Sequence, residues 1–237
     1  MSYGITAIIG AMDEEIVRIL EELQDIEEAI YAGITYYRGR WHDADVVLCK
    51  SGVGKVNAAV CTQLLIERYR ISRVLFTGVA GAVEPSLEIG DLVISTDCVQ
   101  HDMDAAALGY PRGVIPFAEA STFPADADLI RLASQAGEAL GEERRVHLGR
   151  VLSGDQFVAD KHYVIQMREE LQGACIEMEG AAVAQVCAMN RIPFVVIRSI
   201  SDKADGSASM NFAAFTKQAA HNSCQLVSHM VRSLRYI

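Results

Sequence analysis

Apolar runs of strand length alternate with longer segments of helical spacing from one end of the 237-residue chain to the other. ITAIIGA (5–11) reads as a buried strand, and the segment after it, about 12–23, spaces its apolar residues as a helix does. The alternation continues through VNAAVCTQLLIERY (56–69, helix), RVLFTGV (73–79, strand), DLVISTDCVQ (91–100, strand) and a helix beginning near Ala125. Strand VHLGRVLSG (146–154), a helix over 161–171, the segment ACIEMEGAAVAQVC (174–187) with its helix, strand PFVVIRSIS (193–201) and a closing helix over 211–234 complete it. Between the first two helices, ITYYRGRWHDADVV (34–47) predicts a hairpin. Strands interleaved with helices require an α/β fold, here expected as a central mixed, largely parallel twisted sheet flanked by helices.

No period of 20 to 50 residues recurs and no linker or low-complexity tract divides the chain, so a single domain over 1–237 is expected. With 51% hydrophobic and 22% charged residues, the chain can bury one large core. A formal net charge of −10 without any Lys/Arg cluster argues against nucleic acid or an anionic membrane as partner and leaves small molecules. The N-terminal apolar run has no basic leader and is broken by Asp13, Glu14 and Glu15, which fits neither signal peptide nor membrane span. Six cysteines without C-x-x-C spacing read as reduced thiols of a cytoplasmic protein, and six histidines without ligand spacing predict no metal.

In open α/β sheets ligands sit beyond the carboxyl ends of strands, so the informative loops follow the apolar runs. These are GAMDEE (10–15), SGVGK (51–55), TGVAGA (77–82), SGDQF (153–157), IEMEG (176–180) and SDKADG (201–206), each with a glycine, a carboxylate or both. SGVGKV fails as a phosphate loop because Cys49 and Val56 stand where Gly and Ser/Thr are needed. It fails as a dinucleotide fingerprint at Asn57, and no G-x-S-x-G elbow exists anywhere.

The carboxylates say more. Glu177 and Glu179 interrupt an otherwise apolar run, where each must pair, serve chemistry or start a helix at the positive end of its dipole. Glu15, Glu179 and Asp202 each follow a strand-like segment and can converge in a pocket framed by Met178, Phe157 and Phe212. Acids whose environments split their pKa values are what cleavage of a glycosidic bond needs, one to assist water and one to protonate the leaving group.

Taken in order, IIGAMDEEI, KSGVGKVNAA, TGVAGA, IGDLVIS, HDMDAAALGY, SGDQF, IEMEGAAVAQVC and VVIRSISDKAD resemble the 5′-methylthioadenosine/S-adenosylhomocysteine nucleosidase family, over essentially the whole chain. The resemblance implies hydrolysis of the N-glycosidic bond of adenine nucleosides with a 5′-thioether, 5′-deoxyadenosine being a further substrate, without metal or redox cofactor. By matching positions, Glu15 would activate water with help from Arg198, and Asp202, beside Ser201, would protonate adenine N7. Glu179 would hold the ribose hydroxyls and Met178 pack on the ribose, while Glu177 would contact nearby backbone or a helix terminus. Phe157 would stack on the base and the Val158 backbone read its edge. Val53 and Phe212, with Ala105, Leu108 and Pro116 from a second subunit, would line the 5′ pocket of a homodimer. Two departures stand out: Val79 replaces a serine common in the family and removes a hydroxyl from the substrate site, and Ala105 and Leu108 are smaller than usual.

Two other readings compete. A phosphorylase of the same fold needs cationic donors for phosphate, yet the stretch 74–95 has no basic residue and GAMDEE is acidic. A non-catalytic adenine-nucleoside sensor would need neither Glu15 nor Asp202.

Overall fold

A computed structural model describes residues 4–141, 145–205 and 207–234. Ten strands form one mixed sheet among the described residues. At its centre β1 (Thr6–Gly10) runs parallel to β4 (Ala44–Lys50) on one side and to β5 (Arg73–Ala82) on the other. Antiparallel strands β3 (Ile34–Trp41) and β2 (Gln24–Tyr31) extend the β4 edge.

Beyond β5 the sheet closes on itself. β10 (Phe194–Asp202) runs parallel to β5 over Val74 to Gly81, then pairs antiparallel with β6 (Leu92–Gln100). β6 runs parallel to β8 (Val146–Ser153), and β8 to β9 (Gly173–Glu177). β9 returns antiparallel onto Gly81 and Ala82, the last residues of β5. Five strands therefore form a ring, and β5 belongs both to the ring and to the open sheet. The expected parallelism holds for β4-β1-β5-β10 and β6-β8-β9. Antiparallel pairs make the outer edge, the seams of the ring and the attachment of the short β7 (Thr122–Pro124) to β6.

Helices cover both faces. On one, α1 (Asp13–Glu22), α3 (Ala127–Glu138) and α6 (Ala208–Ser233) bury Ile19, Leu132, Leu226 and Met230 against Ile8, Leu75 and Val195. On the other, α2 (Lys55–Tyr69) and α5 (Gly180–Asn190) bury Cys61, Leu65, Val183 and Cys187 against Val47, Phe76 and Val196. α4 (Lys161–Leu171) seals the ring with Val164, Met167 and Leu171 on Leu152 and Ile176. No helix among the described residues is long and apolar enough to cross a membrane.

The hairpin is present as β3-β4, and its two-residue turn puts His42 and Asp43 at φ 50° and 65°, the left-handed pair that matches strand twist. Strand β2 has no counterpart in the sequence reading. Its residues are mostly exposed because it is the sheet edge, so no apolar alternation marks it. TGVAGA, expected as a loop, is the second half of β5 and buried throughout. Its glycines let the backbone continue as strand where the ring closes and side chains from neighbouring elements crowd in.

Leu75 is fully buried in the strand shared by ring and sheet. Leu75→Ala is expected to cost about 2–5 kcal/mol of stability, read from the shift in urea unfolding at unchanged slope.

Candidate active site

The carboxyl ends of β1, β4, β8, β9 and β10 and the end of β5 face one cavity of about 310 Å³. That volume suits a small organic ligand. Glu15, Glu179 and Asp202 all line it, and each is nearly fully buried.

Glu15 enters from the first turn of α1. Its Oε2 accepts from the backbone N–H of Ala11 (2.5 Å) and of Met12 (3.0 Å), the helix N-cap, so the carboxylate reaches back over its own helix start. Its Oε1 accepts from Val79 N–H (3.1 Å) on β5. Burial raises its pKa, opposed by the Arg198 cation and by these three N–H groups. Gly78 makes this approach possible: a Cβ there would stand 2.6 Å from Glu15 Oε1 and 3.0 Å from an Arg198 terminal nitrogen.

Asp202 ends β10. Ser201 Oγ donates to its Oδ2 (2.8 Å) and Ala204 N–H to its Oδ1 (2.8 Å). Its pKa is raised, burial being the main cause and the Asp205 charge a further one, while the two hydrogen bonds oppose the rise. Among the described residues no cation acts on it as Arg198 acts on Glu15. Gly81 gives it room, since a Cβ at that position would lie 2.9 Å from Asp202 Oδ1.

Glu179 is the N-cap residue of α5, and its side chain turns away from the helix to accept from Gly54 N–H (2.7 Å) in the SGVGK loop. Burial first, then the neighbouring Glu177 charge, raise its pKa to about 8. Met178 between the two glutamates lines the cavity, as do Val79, Ser201, Val53 and Val158. Phe157 and Phe212 meet edge to face at 5.5 Å and also border it.

Arg198 is not in the lining. It is 1% exposed beneath the cavity, with its guanidinium 4.0 Å over the Phe76 ring. Nε (3.2 Å) and Nη2 (2.5 Å) donate to Glu177 Oε2, and Nη1 donates to the carbonyls of Phe76 (3.3 Å) and Ile197 (3.1 Å). The expectation that it arranges a water therefore rests on its field and on the one N–H, on Nη2, left over from these four bonds. Its pKa is raised because Glu177, Glu15 and Glu179 together outweigh the cost of burial, which acts in the other direction.

Glu177, expected to contact nearby backbone or a helix terminus, does both, and it also lines the cavity. It accepts from Gly180 N–H (2.9 and 2.8 Å) and Glu179 N–H (3.3 Å) at the start of α5, and Ser153 Oγ donates to it. Its pairing with Arg198 escaped the sequence reading. The signal was available, since a lone arginine inside the apolar run VVIRSIS demands a buried acid. Gln156, Ile176, Ala80, Ala11 and Met12 also line the cavity and were not anticipated.

Ala105, Leu108 and Pro116 do not reach this cavity within the chain. They belong to the segment between β6 and β7, which contains a short 3-10 turn at Ala106–Leu108; Leu108 is 68% exposed and Phe117 91%.

The family described as the phosphorylase superfamily matches residues 5–232. The 5′-methylthioadenosine/S-adenosylhomocysteine nucleosidase of Staphylococcus carnosus is 41% identical over 96% of this chain and 99% of its own. Among solved structures, the nucleosidase of that name from Neisseria meningitidis, in complex with methylthio-immucillin-A, superposes with a TM-score of 0.93 at 37% identity, covering 97% of this chain and 99% of its own. Its counterpart from Colwellia psychrerythraea, in complex with adenine, gives 0.93 at 38% identity, covering 98% and 96%.

A carboxyl raised from its ordinary 4.5 to about 8 keeps, in the folded state, a proton that the unfolded chain releases. Between those values the folded state binds more protons, so this group's contribution falls as pH rises through the window. Glu179→Gln keeps an acceptor for Gly54 N–H and removes the titration. It is expected to raise the melting temperature relative to the parent at about pH 8 and much less at about pH 5. An equal change at both pH values would contradict this.

Proposed function

The chain belongs to the phosphorylase superfamily and, within it, to the 5′-methylthioadenosine/S-adenosylhomocysteine nucleosidases, and from that premise we propose that it hydrolyses the N-glycosidic bond of those two nucleosides, releasing adenine and the corresponding thioribose. 5′-Deoxyadenosine, which differs only in the 5′ substituent, fits the same chemistry. The observation that carries the reading is that Glu15 and Asp202, each nearly fully buried, line one cavity. Both carboxyls are raised by burial, but Arg198 opposes the rise at Glu15 and nothing cationic does so at Asp202. In this reading Glu15, held by three backbone N–H groups beside Arg198, is the base that takes a proton from water, and Asp202, held by Ser201 and Ala204, is the acid that gives one to adenine N7.

Charge develops on both halves of the substrate as the bond breaks. The ribosyl ring becomes cationic and is met by Glu179 at its hydroxyls, with Met178 against the ring; the base becomes anionic and is neutralised by Asp202, held by Ser201. Phe157 and Val158 hold the base, and Val53 and Phe212 border the 5′ substituent. Val79 contributes its backbone N–H to Glu15 where a side-chain hydroxyl is missing. The cavity lining carries carboxylates and, among the described residues, no lysine or arginine, which favours water over phosphate as the acceptor.

The assembly proposed is a homodimer in which Ala105, Leu108 and Pro116 of one chain complete the 5′ pocket of the other. Exposed Leu108 and Phe117 on that segment support it, together with exposed Val56 (74%) on α2 and Met189 (75%) on α5. A cytoplasmic location belongs to the same proposal, supported by six buried cysteines that form no disulfide.

With methylthioadenosine as substrate, the sugar released is expected to be free methylthioribose in the presence or absence of phosphate; a ribose 1-phosphate would identify a phosphorylase. Glu15→Gln and Asp202→Asn should each retain nucleoside binding and lose on the order of 100-fold or more in kcat. The Asp202 variant should also lose the alkaline limb of the pH profile, because in this reading Asp202 is the acid whose deprotonation ends turnover. Leu108→Asp is expected to yield a monomer by light scattering with impaired turnover; a monomeric variant of full activity would refute the shared site.

A further inference from the structure

Lys55, the first residue of α2, closes a ring of hydrogen bonds across three loops. Its Nζ donates to Asp102 Oδ1 (2.6 Å) and to Gln100 Oε1 (3.0 Å). Asp102 Oδ2 accepts from the backbone N–H of Asp155 (3.0 Å), and Asp155 Oδ1 accepts from the backbone N–H of Lys55 (2.8 Å). The Lys55 and Asp102 side chains are only 18% and 20% exposed, so the ion pair is shielded enough to hold geometry.

The ring sits within two residues of two pieces of the cavity wall. On the α2 side, Gly54 N–H holds Glu179 and Val53 lines the cavity; on the other, Gln156, Phe157 and Val158 line it. Between Asp155 and Ala159 the chain has no regular structure, and Gln156 N–H bonds only back to Gly154. The hydrogen bonds that leave this stretch are those of Asp155, to Lys55 and to Asp102. Besides them the loop is held by Val158, which packs against the core around Leu152 and Ile176, and by the edge contact of Phe157, 49% exposed, with Phe212.

We propose that Lys55, Asp102 and Asp155 act as positioning residues that latch the loop carrying Gln156, Phe157 and Val158 over the cavity and thereby set the affinity for the base. The inference rests on the nucleosidase reading, in which the base lies against that loop. Neither the lysine nor the two aspartates touches substrate in this scheme. They act through the loop, so their loss weakens base binding and leaves the chemistry of Glu15 and Asp202 in place.

The test uses the full chain and three variants, Lys55→Met, Lys55→Arg and Asp155→Ala, with methylthioadenosine turnover, adenine affinity by calorimetry and melting without ligand. Turnover by the parent protein judges the nucleosidase reading first; its absence would sink that reading and not the latch as such. With an active parent, Lys55→Met and Asp155→Ala are expected to raise KM and the adenine Kd by about tenfold while kcat stays within about threefold, the scale of one lost charge-assisted hydrogen bond. Lys55→Arg, which keeps the cation, should lie nearer the parent than Lys55→Met, and unliganded melting should change little. KM within about twofold of the parent in both Lys55→Met and Asp155→Ala, or a kcat loss larger than the KM rise in either, overturns the latch.

Discussion

The contact on which the site depends is the ion pair between Arg198 and Glu177, 2.5 Å apart beneath the cavity and almost wholly out of solvent. A guanidinium in the middle of a buried strand is tolerable only if its charge is matched and its N–H groups are used. Glu177 provides the match, and the carbonyls of Phe76 and Ile197 take further donors. The same carboxylate accepts from the first N–H groups of α5 and from Ser153. Ser153 Oγ accepts in turn from Ala181 N–H at 2.7 Å. One acid thus joins β8, β9, α5 and β10, and the start of α5 it fixes is the place from which Glu179 reaches the cavity.

Topology supplies the convergence. Closing β5, β10, β6, β8 and β9 into a ring brings the carboxyl ends of β8, β9 and β10 to the mouth where β1 and β4 also end. β5 then serves both acids with its backbone. Gly78 lets it pass under Glu15 and Arg198, and Gly81 lets it pass under Asp202 and Ala204. A methyl group at either position would occupy space that a carboxylate oxygen now fills. Two glycines three residues apart are therefore a packing requirement of the site and of the strand together.

The sequence made legible what depends on local pattern. Helix and strand periodicity located α1, α2, α4 and the buried strands, and the loops after those strands held the acids that line the cavity. Other features depend on which strands are neighbours, and periodicity carries no such information. TGVAGA looked like a loop because its glycines are turn-formers in isolation; only the ring shows why they sit in a strand. The Lys55 ring joins positions about fifty and a hundred residues apart, with no spacing to betray it. β2 hid because an edge strand with exposed Glu27 and Glu28 shows no buried face. Ala105, Leu108 and Pro116 line no part of the cavity within one chain, and the role proposed for them depends on a second copy.

Placing four carboxyls, those of Glu15, Glu177, Glu179 and Asp202, around one cavity costs folding free energy, because burial disfavours each charged form and the charges repel one another. A chain selected for stability alone would replace them with amides. What makes the arrangement useful is that the cost is unevenly relieved. Glu15 is relieved by Arg198 and three backbone N–H groups, whereas Asp202 has a serine, one N–H and an added aspartate nearby. Equal carboxyls in equal burial would titrate together and could serve as acid and base only by chance of pH. The Arg198 guanidinium acts on Glu15 and, among the described residues, no cation acts on Asp202, so the two carboxyls sit in different surroundings. The same cation needs Glu177 to be held there, so the ion pair beneath the cavity also sets the electrostatic surroundings of Glu15.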